Sequence, residues 1–462
     1  MFRLFKHYVP HAVVWLALIE FIALLGSAEV AWHTYAHFAG FDAGKLSARA
    51  APLATFAIAN ALAMMATGLY SSEALRSMRF ATARLLAAIS LGVIFLSVVG
   101  FLFPTATLWR VNSLYAMVIA IAALFVIRLI LTQSAGADAF KRRILVLGAG
   151  KRAARLQALA EAPGSGLVVA GFVAMSASER TVPDAVPRED IANLSDHVVA
   201  LGAGEVVLAM EERRGSLPLS DLLRVKTTGV HVNDIASFIE RETGRVDLAT
   251  TNPSALIFSD GFSAGQRISR VGKRLFDIVA SLLVLVVGLP LILIAGMAVK
   301  ADSRGPILYR QSRVGLYGEA YDVLKIRSMR TDAEAAGKAV WAAENDPRIT
   351  RVGHIIRKAR IDELPQLWCV LKGEMSIVGP RPERPSFVEE LERELPYYAE
   401  RHMVKPGLTG WAQINYPYGA SVEDARAKLE YDLYYAKNYS PFLDLLILLQ
   451  TVRVVLWPEG AR

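Results

Sequence analysis

Four long apolar runs near the N-terminus restrict what this chain can fold into more than any other feature of its sequence. The last three approach the roughly 20 residues that cross a bilayer core as a helix, whereas the first is shorter and contains Glu20. Glu20 is either functional inside the membrane or a contact near a helix end or within a helix bundle. A cleaved signal peptide accounts for the first run alone, and residues 11–26 lack a convincing small-residue cleavage site. The sequence therefore predicts a four-helix transmembrane bundle over residues 1–135, built on residues 12–25, 51–70, 81–103 and 111–131.

The distribution of basic residues predicts the orientation of these helices. Cytoplasmic segments carry an excess of Lys and Arg, and the loops 29–50 and 104–110 hold little net positive charge. Both ends of the four-helix region are therefore predicted to face the cytoplasm. The basic residues fall before the first run, between the second and third, and after the fourth: Arg3, Lys6, Arg76, Arg79, Arg84, Lys141, Arg142 and Arg143.

Composition excludes several classes of protein. Hydrophobic residues make up 53% of the 462 residues and charged residues only 20%, below the roughly 25% charge of soluble domains. The net charge of +8 is too small for a dedicated nucleic-acid binder, and it favours a surface that meets anionic lipid or phosphate-bearing substrates. The single cysteine, Cys369, excludes a disulfide framework and a cysteine-rich zinc site.

Residues 140–262 are typical of a doubly wound α/β domain of the Rossmann-like kind. A buried strand runs directly into Gly148 and Gly150, with Ala153 in the third position of the dinucleotide fingerprint. Strand-like runs recur at residues 167–173, 205–210 and 229–233. The second strand ends without an acidic residue that could hold a ribose, so Gly148 and Gly150 are a weak cofactor site. A structural or regulatory domain is the alternative.

A fifth apolar segment, residues 278–299, contains no formal charge and is long enough to span a membrane. Basic clusters flank it on both sides, so a crossing helix would export one of them against the positive-inside bias. Pro290 removes a backbone hydrogen bond in its middle. Entry and return on the same face, as a re-entrant helix, satisfies both facts, and a kinked fifth span is the alternative. A last apolar run at residues 441–457 suits an interfacial helix or a packed core helix.

The segment 357–373 holds the residues most suggestive of chemistry. Leu364, Leu367, Trp368 and Leu371 recur at helical spacing, and Pro365 fits only the first turn. Asp362 is then placed at or near the N-cap, which is itself a sufficient explanation for it.

Acidic and basic groups surround this predicted helix start. A helix N-terminus receives anions, and the Asp362–Glu363 pair can take a divalent cation. Cations gathered around carboxylates beside a membrane segment suggest phosphoryl transfer between a soluble nucleotide and a lipid phosphate. The candidate phosphate-binding residues are Lys325, Arg327, Arg357, Arg360 and Arg381, the last stiffened by a proline on each side.

From about residue 269 onward the chain resembles the bacterial sugar transferases, the polyprenyl-phosphate hexose-1-phosphate transferases that start exopolysaccharide and O-antigen assembly. The larger members of this family also carry four N-terminal membrane helices and a Rossmann-like domain. The resemblance therefore implies three domains, with an α/β monotopic catalytic domain over residues 268–462. The matching segments are residues 273–277, 305–315, 321–330, 345–353, 361–367, 375–383 and 405–411.

The resemblance implies roles for individual residues. Asp362 corresponds to the nucleophile that attacks the sugar-bearing phosphorus of a UDP-sugar and releases UMP, and Glu363 to a Mg²⁺ ligand. Undecaprenyl phosphate then accepts the sugar phosphate at the inner membrane, on its cytoplasmic face. UDP-glucose is the first expectation for the donor. The family's Ser-Pro helix break is Leu289-Pro290 here, and a homodimer is left open.

Two other functions compete with this interpretation. A membrane-anchored nucleotide-sugar dehydratase or dehydrogenase needs a Tyr-x-x-x-Lys pair on one helix, but the chain's match, Tyr321 and Lys325, lies in a strand-like pattern. Side chains four residues apart on a strand are roughly 13 Å apart, too far to act together. An inactive scaffold for polysaccharide assembly is the other alternative, and the intact acidic pair argues against it.

Overall fold

A computed structural model describes most of the chain as two compact units. One unit contains Tyr8–Thr243 and Asp247–Asn252, and the other contains Gly244–Val246 and Pro253–Arg462. Lys6, Arg76, Asn345 and Trp457, which entered the predictions above, lie outside the described residues. The described residues are 2–4, 7–9, 11–70, 74–75, 78–134, 141–162, 165–176, 181–212, 217–251, 267–331, 346–416, 419 and 421–456.

Four long apolar helices follow two short strands at the N-terminus. Each is long and apolar enough to cross a membrane, and α1 packs against α2 and α4 while α2 packs against α3. Whether they form the predicted transmembrane bundle, and in which orientation, stays a prediction. The elements are β1 (Phe2–Leu4), β2 (His7–Val9), α1 (His11–Ala39), α2 (Leu46–Ala66), α3 (Met78–Leu102) and α4 (Arg110–Ser134).

The first helix is much longer than the sequence pattern indicated. Residues 29–39, predicted as part of a loop, continue α1. Within this stretch Glu29 is paired with Arg49, with an Nη2–Oε1 distance of 2.5 Å. Glu20 consequently lies well inside the helix. It is completely buried and accepts hydrogen bonds from Arg128 on α4 at 2.7 and 3.2 Å. A contact between two helices, one of the interpretations of Glu20, is therefore observed.

The middle of the chain contains a five-stranded sheet of parallel strands, which confirms the predicted α/β domain. The strand order is β5-β4-β3-β6-β7, the order of the first five strands in doubly wound domains. Alternate residues of β3 face two separate cores, Ile144 and Val146 on one side and Leu145 and Leu147 on the other. The elements are β3 (Arg142–Leu147), α5 (Lys151–Glu161), β4 (Leu167–Ala174), β5 (Val186–Pro187), α6 (Leu194–Ala200), β6 (Glu205–Leu208), α7 (Leu219–Thr227), β7 (His231–Asp234) and α8 (Ile235–Thr243).

In the second unit, short helices and two small sheets pack along one side of the fifth apolar helix. Strands β8 and β9 form an antiparallel hairpin in which Tyr309 lies opposite Lys325, and β10 and β11 are parallel. The elements are α9 (Arg267–Asp302), β8 (Leu308–Val314), β9 (Ala320–Ile326), α10 (Arg351–Lys358), α11 (Leu367–Lys372), β10 (Ser376–Val378), α12 (Pro385–Glu394), β11 (Gly407–Thr409), α13 (Trp411–Asn415), α14 (Val422–Asn438) and α15 (Pro441–Leu456).

Helix α9 is anchored at its N-terminal end by a buried polar cluster. Lys273 Nζ donates to Asp444 at 2.7 Å and to the Val378 carbonyl at 3.0 Å. Asp277 accepts from Ser376 and from the Ile377 amide, while Tyr435 donates to Asp444. We call Lys273, Asp277, Tyr435 and Asp444 the α9 anchor. It fixes the helix to β10, the strand that leads into Arg381.

The rest of α9 keeps one stripe in contact with the same unit. Gly288 lies against Leu364, since a Cβ at this glycine would be 3.5 Å from the leucine Cδ1. Ala295 and Val299 pack against Ile326 and Ile356. The opposite face exposes a continuous apolar surface, including Leu283, Val286, Val287, Leu293, Ile294 and Met297. The helix is assigned without interruption through Pro290, so the predicted break is not seen as a gap in the helix.

Candidate active site

The acidic pair lies on a tight helical turn directly beside α9. Residues Ile361–Gln366 form a 3-10 segment that continues into α11, and Arg360 before it has a left-handed backbone (φ 56°). Gly373 ends α11 in the left-handed conformation (φ 93°), as its position predicted. Asp362 lies in the first turn of the 3-10 segment, near its N-cap Arg360 as predicted and not at the N-cap itself. The predicted apolar face also differs, since Trp368 is exposed and Val370 is buried.

Glu363 is the centre of a cluster of cations. Its Oε1 atom lies 3.0 Å from Arg381 Nη2, 3.5 Å from Lys325 Nζ and 3.6 Å from Arg360 Nη1. Burial by itself would raise the pKa of Glu363, but the charges of Arg381, Lys325 and Arg360 outweigh burial and hold that pKa well below its usual range. Glu363 is therefore ionised at physiological pH.

Asp362 is in a different environment although it is the next residue. Its Oδ1 atom is buried and has no hydrogen-bond partner among the described residues. Burial, followed by the neighbouring charge of Glu363, raises the pKa of Asp362, while Lys325, Arg357 and Arg360 oppose that rise. Asp362 Oδ1 is therefore a desolvated oxygen that no hydrogen bond from the described residues holds in place.

Lys325 extends from β9 toward the acidic pair. Burial lowers the pKa of Lys325, and the carboxylate of Glu363 opposes this effect. Arg381 follows β10 in the stretch between two prolines, with its guanidinium on Glu363. Four of the five predicted basic residues therefore lie close enough to affect the acidic pair. Lys325, Arg360 and Arg381 contact Glu363, and Arg357 acts on Asp362 through its charge.

Arg327 has another task in this structure. Its guanidinium is buried and donates to the carbonyl oxygens of Ser303, at 2.8 Å, and of Arg304. These carbonyls follow the C-terminus of α9, where a helix leaves acceptors unsatisfied. Arg327 thus satisfies the end of the helix, and its predicted contact with substrate stays a prediction.

The acidic pair fits a hard divalent cation only together with a phosphate ligand. Among the described residues no group of three or more His, Cys, Asp or Glu side chains is placed to hold a metal ion. Mg²⁺ is, however, often held by one or two carboxylates plus substrate phosphates. Asp362 Oδ1 and Glu363 supply such a pair of oxygen donors, and the surrounding cations suit the phosphate.

The glycine-rich turn of the α/β domain fits a dinucleotide poorly. Glu211, which follows β6, accepts a hydrogen bond from the Lys151 amide at 2.9 Å, the position where a helix N-terminus would receive a pyrophosphate. A Cβ at Gly150 would lie 2.7 Å from the same Glu211 oxygen. The chain's own carboxylate therefore takes the place of a bound phosphate beside Gly148 and Gly150.

Comparison with known proteins identifies the family. Residues 268–458 match the sequence model of the bacterial sugar transferase family. The exopolysaccharide production protein PSS of Rhizobium leguminosarum bv. phaseoli is 43% identical over 188 residues, which are 39% of this chain and 92% of that protein. The chain belongs to the bacterial sugar transferase family. The family resemblance predicted from the motifs is thereby confirmed.

Two longer relatives have names that state an enzymatic activity. The UDP-N-acetylgalactosamine-undecaprenyl-phosphate N-acetylgalactosaminephosphotransferase of Aeromonas hydrophila is 42% identical over 241 residues, 52% of this chain and 56% of that protein. The UDP-glucose:undecaprenyl-phosphate glucose-1-phosphate transferase of Escherichia coli (strain K12) is 41% identical over 187 residues, 40% of each chain. The chain thus matches about half of the length of the Aeromonas protein and 40% of the length of the E. coli protein.

Sequence reasoning missed two arginines behind the site. The partly buried Arg313 donates to the Pro382 carbonyl and the buried Arg401 donates to the Arg381 carbonyl, yet neither was a predicted site residue. Arg401 stands in the segment Glu400-Arg401-His402, which has the composition of a surface loop. Only the fold brings Arg401 to a buried carboxylate, so no local pattern could have identified it.

Proposed function

We propose that this protein transfers a sugar 1-phosphate from a UDP-sugar to undecaprenyl phosphate. The observation that carries the proposal is a pair of adjacent carboxyl groups in different environments. Asp362 Oδ1 is buried with no hydrogen-bond partner among the described residues, whereas Glu363 is surrounded by cations. The names of the Aeromonas and E. coli relatives support the same reaction class. The phosphates of both substrates are dianions or diesters that need such cations.

The proposed chemistry has two displacements at one phosphorus atom. An oxygen of Asp362 attacks the sugar-bearing phosphorus, the bond from that phosphorus to the UMP oxygen breaks, and UMP leaves with the electron pair. An oxygen of the lipid phosphate then attacks the same phosphorus and releases Asp362 as a carboxylate. Covalent catalysis of this kind divides one difficult encounter between two anions into two easier steps.

The cations around Glu363 have a separate task in this scheme. Lys325, Arg360 and Arg381 would bind and orient the diphosphate of the donor. Glu363 keeps these side chains gathered in the absence of substrate, and with Asp362 it would hold Mg²⁺. When bound, that ion would reduce the charge repulsion between the substrate phosphates and the attacking carboxylate.

We further propose that α9 does not cross the bilayer. Its contacts with the catalytic unit run from Asp277 to Val299, which is about 33 Å of helix at 1.5 Å per residue. A spanning helix would place that much of the catalytic unit inside a hydrocarbon core of roughly 30 Å. These contacts agree better with a helix α9 that stays at one face of the membrane and has its exposed apolar side in the lipid. Ile361 and Leu364, on either side of the acidic pair, pack close to α9, so the pair would face the level of lipid head groups.

The topology can be tested by labelling. A cysteine introduced at Arg304, in a Cys369→Ser background, is expected to react with a membrane-impermeant reagent only from the cytoplasmic side. A second cysteine at the exposed Val271 gives the matched position before the helix. Opposite accessibility of the two cysteines would show a crossing helix.

The choice of sugar donors to test follows from the family resemblance and from the names of the relatives. UDP-glucose remains the first candidate, and the Aeromonas relative makes UDP-N-acetylgalactosamine the second to test. The decisive experiment is UMP release from a panel of UDP-sugars with undecaprenyl phosphate and Mg²⁺, using the full chain in membranes. UMP release that depends on the lipid supports the proposal, and turnover of no UDP-sugar would contradict it.

A further inference from the structure

The stretch that carries Arg381 is held by an unusually complete set of hydrogen bonds. Its four consecutive carbonyl oxygens each accept a hydrogen bond, and the four donors come from three segments of the unit: β8, Arg401 and the start of β11. Pro380 accepts from the Gly407 amide at 2.8 Å, and Glu383 accepts from the Val314 amide at 3.0 Å. Between them, the Arg381 carbonyl accepts from Arg401 at 2.9 Å and the Pro382 carbonyl accepts from Arg313 at 3.0 Å.

Arg401 is the most deeply buried of these donors. It is 4% exposed, and its Nε and Nη2 atoms donate to Asp432 at 3.1 and 2.7 Å. Its remaining nitrogen, Nη1, donates to the Tyr398 hydroxyl at 2.9 Å. All three guanidinium nitrogens are therefore engaged by protein, and Arg401 cannot reach a substrate.

Arg401 and the acidic pair are connected through one residue. Arg401 holds the backbone of Arg381, and the side chain of Arg381 contacts Glu363 at 3.0 Å. The Arg381 guanidinium is about a third exposed, so packing alone does not fix it. The position of the guanidinium therefore depends on the position of the Arg381 backbone. A misplacement of about 1 Å in an active site costs on the order of 100-fold in rate.

We propose that Arg401 is a positioning residue for the sugar-phosphate transfer and acts through the backbone of Arg381. This inference rests on the proposed function. Buried and paired with Asp432, Arg401 fixes the Arg381 carbonyl so that the guanidinium meets the diphosphate at a set place. Arg401 itself touches neither substrate nor the reacting atoms.

A double-mutant cycle tests this inference. The variants are Arg401→Gln, Arg381→Ala and the double variant, each measured as kcat/KM for UMP release per folded protein. Arg401→Gln alone is expected to lower kcat/KM by at least about tenfold. In the Arg381→Ala background the same substitution should change kcat/KM less than about twofold, because the side chain it positions is absent.

A purely structural role gives another pattern. If Arg401→Gln lowers kcat/KM by equal factors in both backgrounds, the two residues act independently and the inference is overturned. Arg401→Lys keeps the charge beside Asp432, but its single nitrogen replaces the three that donate to Asp432, Tyr398 and the Arg381 carbonyl. This variant should fold, and it should lower kcat/KM in the chain that keeps Arg381 but not in the Arg381→Ala background. It therefore allows the test even if Arg401→Gln folds poorly.

A matched control removes a similar ion pair from the other unit. Arg241 contacts Glu205 at 2.7 Å with both side chains largely buried, and Arg241→Gln should lower stability while leaving kcat/KM unchanged. Failure of the proposed function is recognised separately, since the unsubstituted chain would then release no UMP from any donor. If it does release UMP and Arg381→Ala has no effect, the positioning inference alone is refuted.

Discussion

The substitution Lys273→Met tests whether the α9 anchor is as desolvated as the structure indicates. Lys273 lies 2.7 Å from Asp444, which is completely buried. Methionine preserves most of the side-chain volume but leaves the carboxylate with the Tyr435 hydroxyl and no cation. Removing one partner of a buried ion pair costs about 3–5 kcal/mol, or roughly 6–20 °C in Tm for a domain of this size.

The pH dependence of this loss has a definite sign. Burial already raises the pKa of Asp444, with Lys273 opposing it, so loss of the lysine should raise that pKa further. A group whose pKa is raised on folding contributes stability at low pH and loses it as the pH rises through the folded pKa. The deficit of Lys273→Met should therefore be small near pH 5 and larger near pH 8.

Thermal unfolding of the full chain in detergent, followed at both pH values, measures the effect. Lys273→Met/Asp444→Asn should recover most of the lost stability, because no buried charge remains unpaired. Arg274→Met is the matched control on the same helix, since Arg274 donates to the backbone carbonyls of Val370 and Leu371. A pH-independent loss below about 1 kcal/mol for Lys273→Met, typical of an exposed pair, would refute the reasoning.

Three further predictions concern other parts of the chain. Arg128→Leu leaves the buried Glu20 unpaired and should destabilise the N-terminal helices by about 3–5 kcal/mol, with Arg128→Leu/Glu20→Leu recovering it; equal Tm values for both variants would contradict the ion pair. Asp362→Asn should stabilise the fold increasingly as the pH rises, because the pKa of Asp362 is raised. Glu363→Gln should destabilise the fold at neutral pH and less in acid, because the pKa of Glu363 is lowered. Thermal unfolding scans of both variants from pH 4 to 8 measure these opposite trends. NAD and NADP should not shift the Tm of the full chain, since Glu211 lies where a pyrophosphate would bind, and saturable binding by calorimetry would disprove this.

Much of the fold could be predicted from hydrophobic periodicity and from the positions of glycine residues. The β3–Gly148 turn, the parallel sheet and the end of α11 at Gly373 are local consequences of residue type, and the structure has them where the pattern indicated. The length of α1 did not follow, because the charged residues 29–49 were predicted as a loop, whereas in the structure Glu29 on α1 is paired with Arg49, 20 residues away. A long-range ion pair leaves no periodic signal.

The candidate site shows the same division. The acidic pair and its neighbouring cations were recognisable because they stand in short, charged motifs. The different tasks of Arg327 and Arg381 were not, since one caps the end of α9 and the other contacts Glu363 only in the folded chain. Arg401 lay outside every motif, and its burial against Asp432 is a property of tertiary structure alone.

Isolation of the labelled tryptic segment Ile361–Lys372 tests the nucleophile assignment most directly. The full chain would be mixed with a UDP-sugar labelled at the sugar-bearing phosphate, without lipid acceptor, and quenched within the first turnover. Label on this segment, absent from Asp362→Asn and discharged by undecaprenyl phosphate, is the predicted result. UMP release at the normal rate with the protein unlabelled, or label retained in Asp362→Asn, would contradict it.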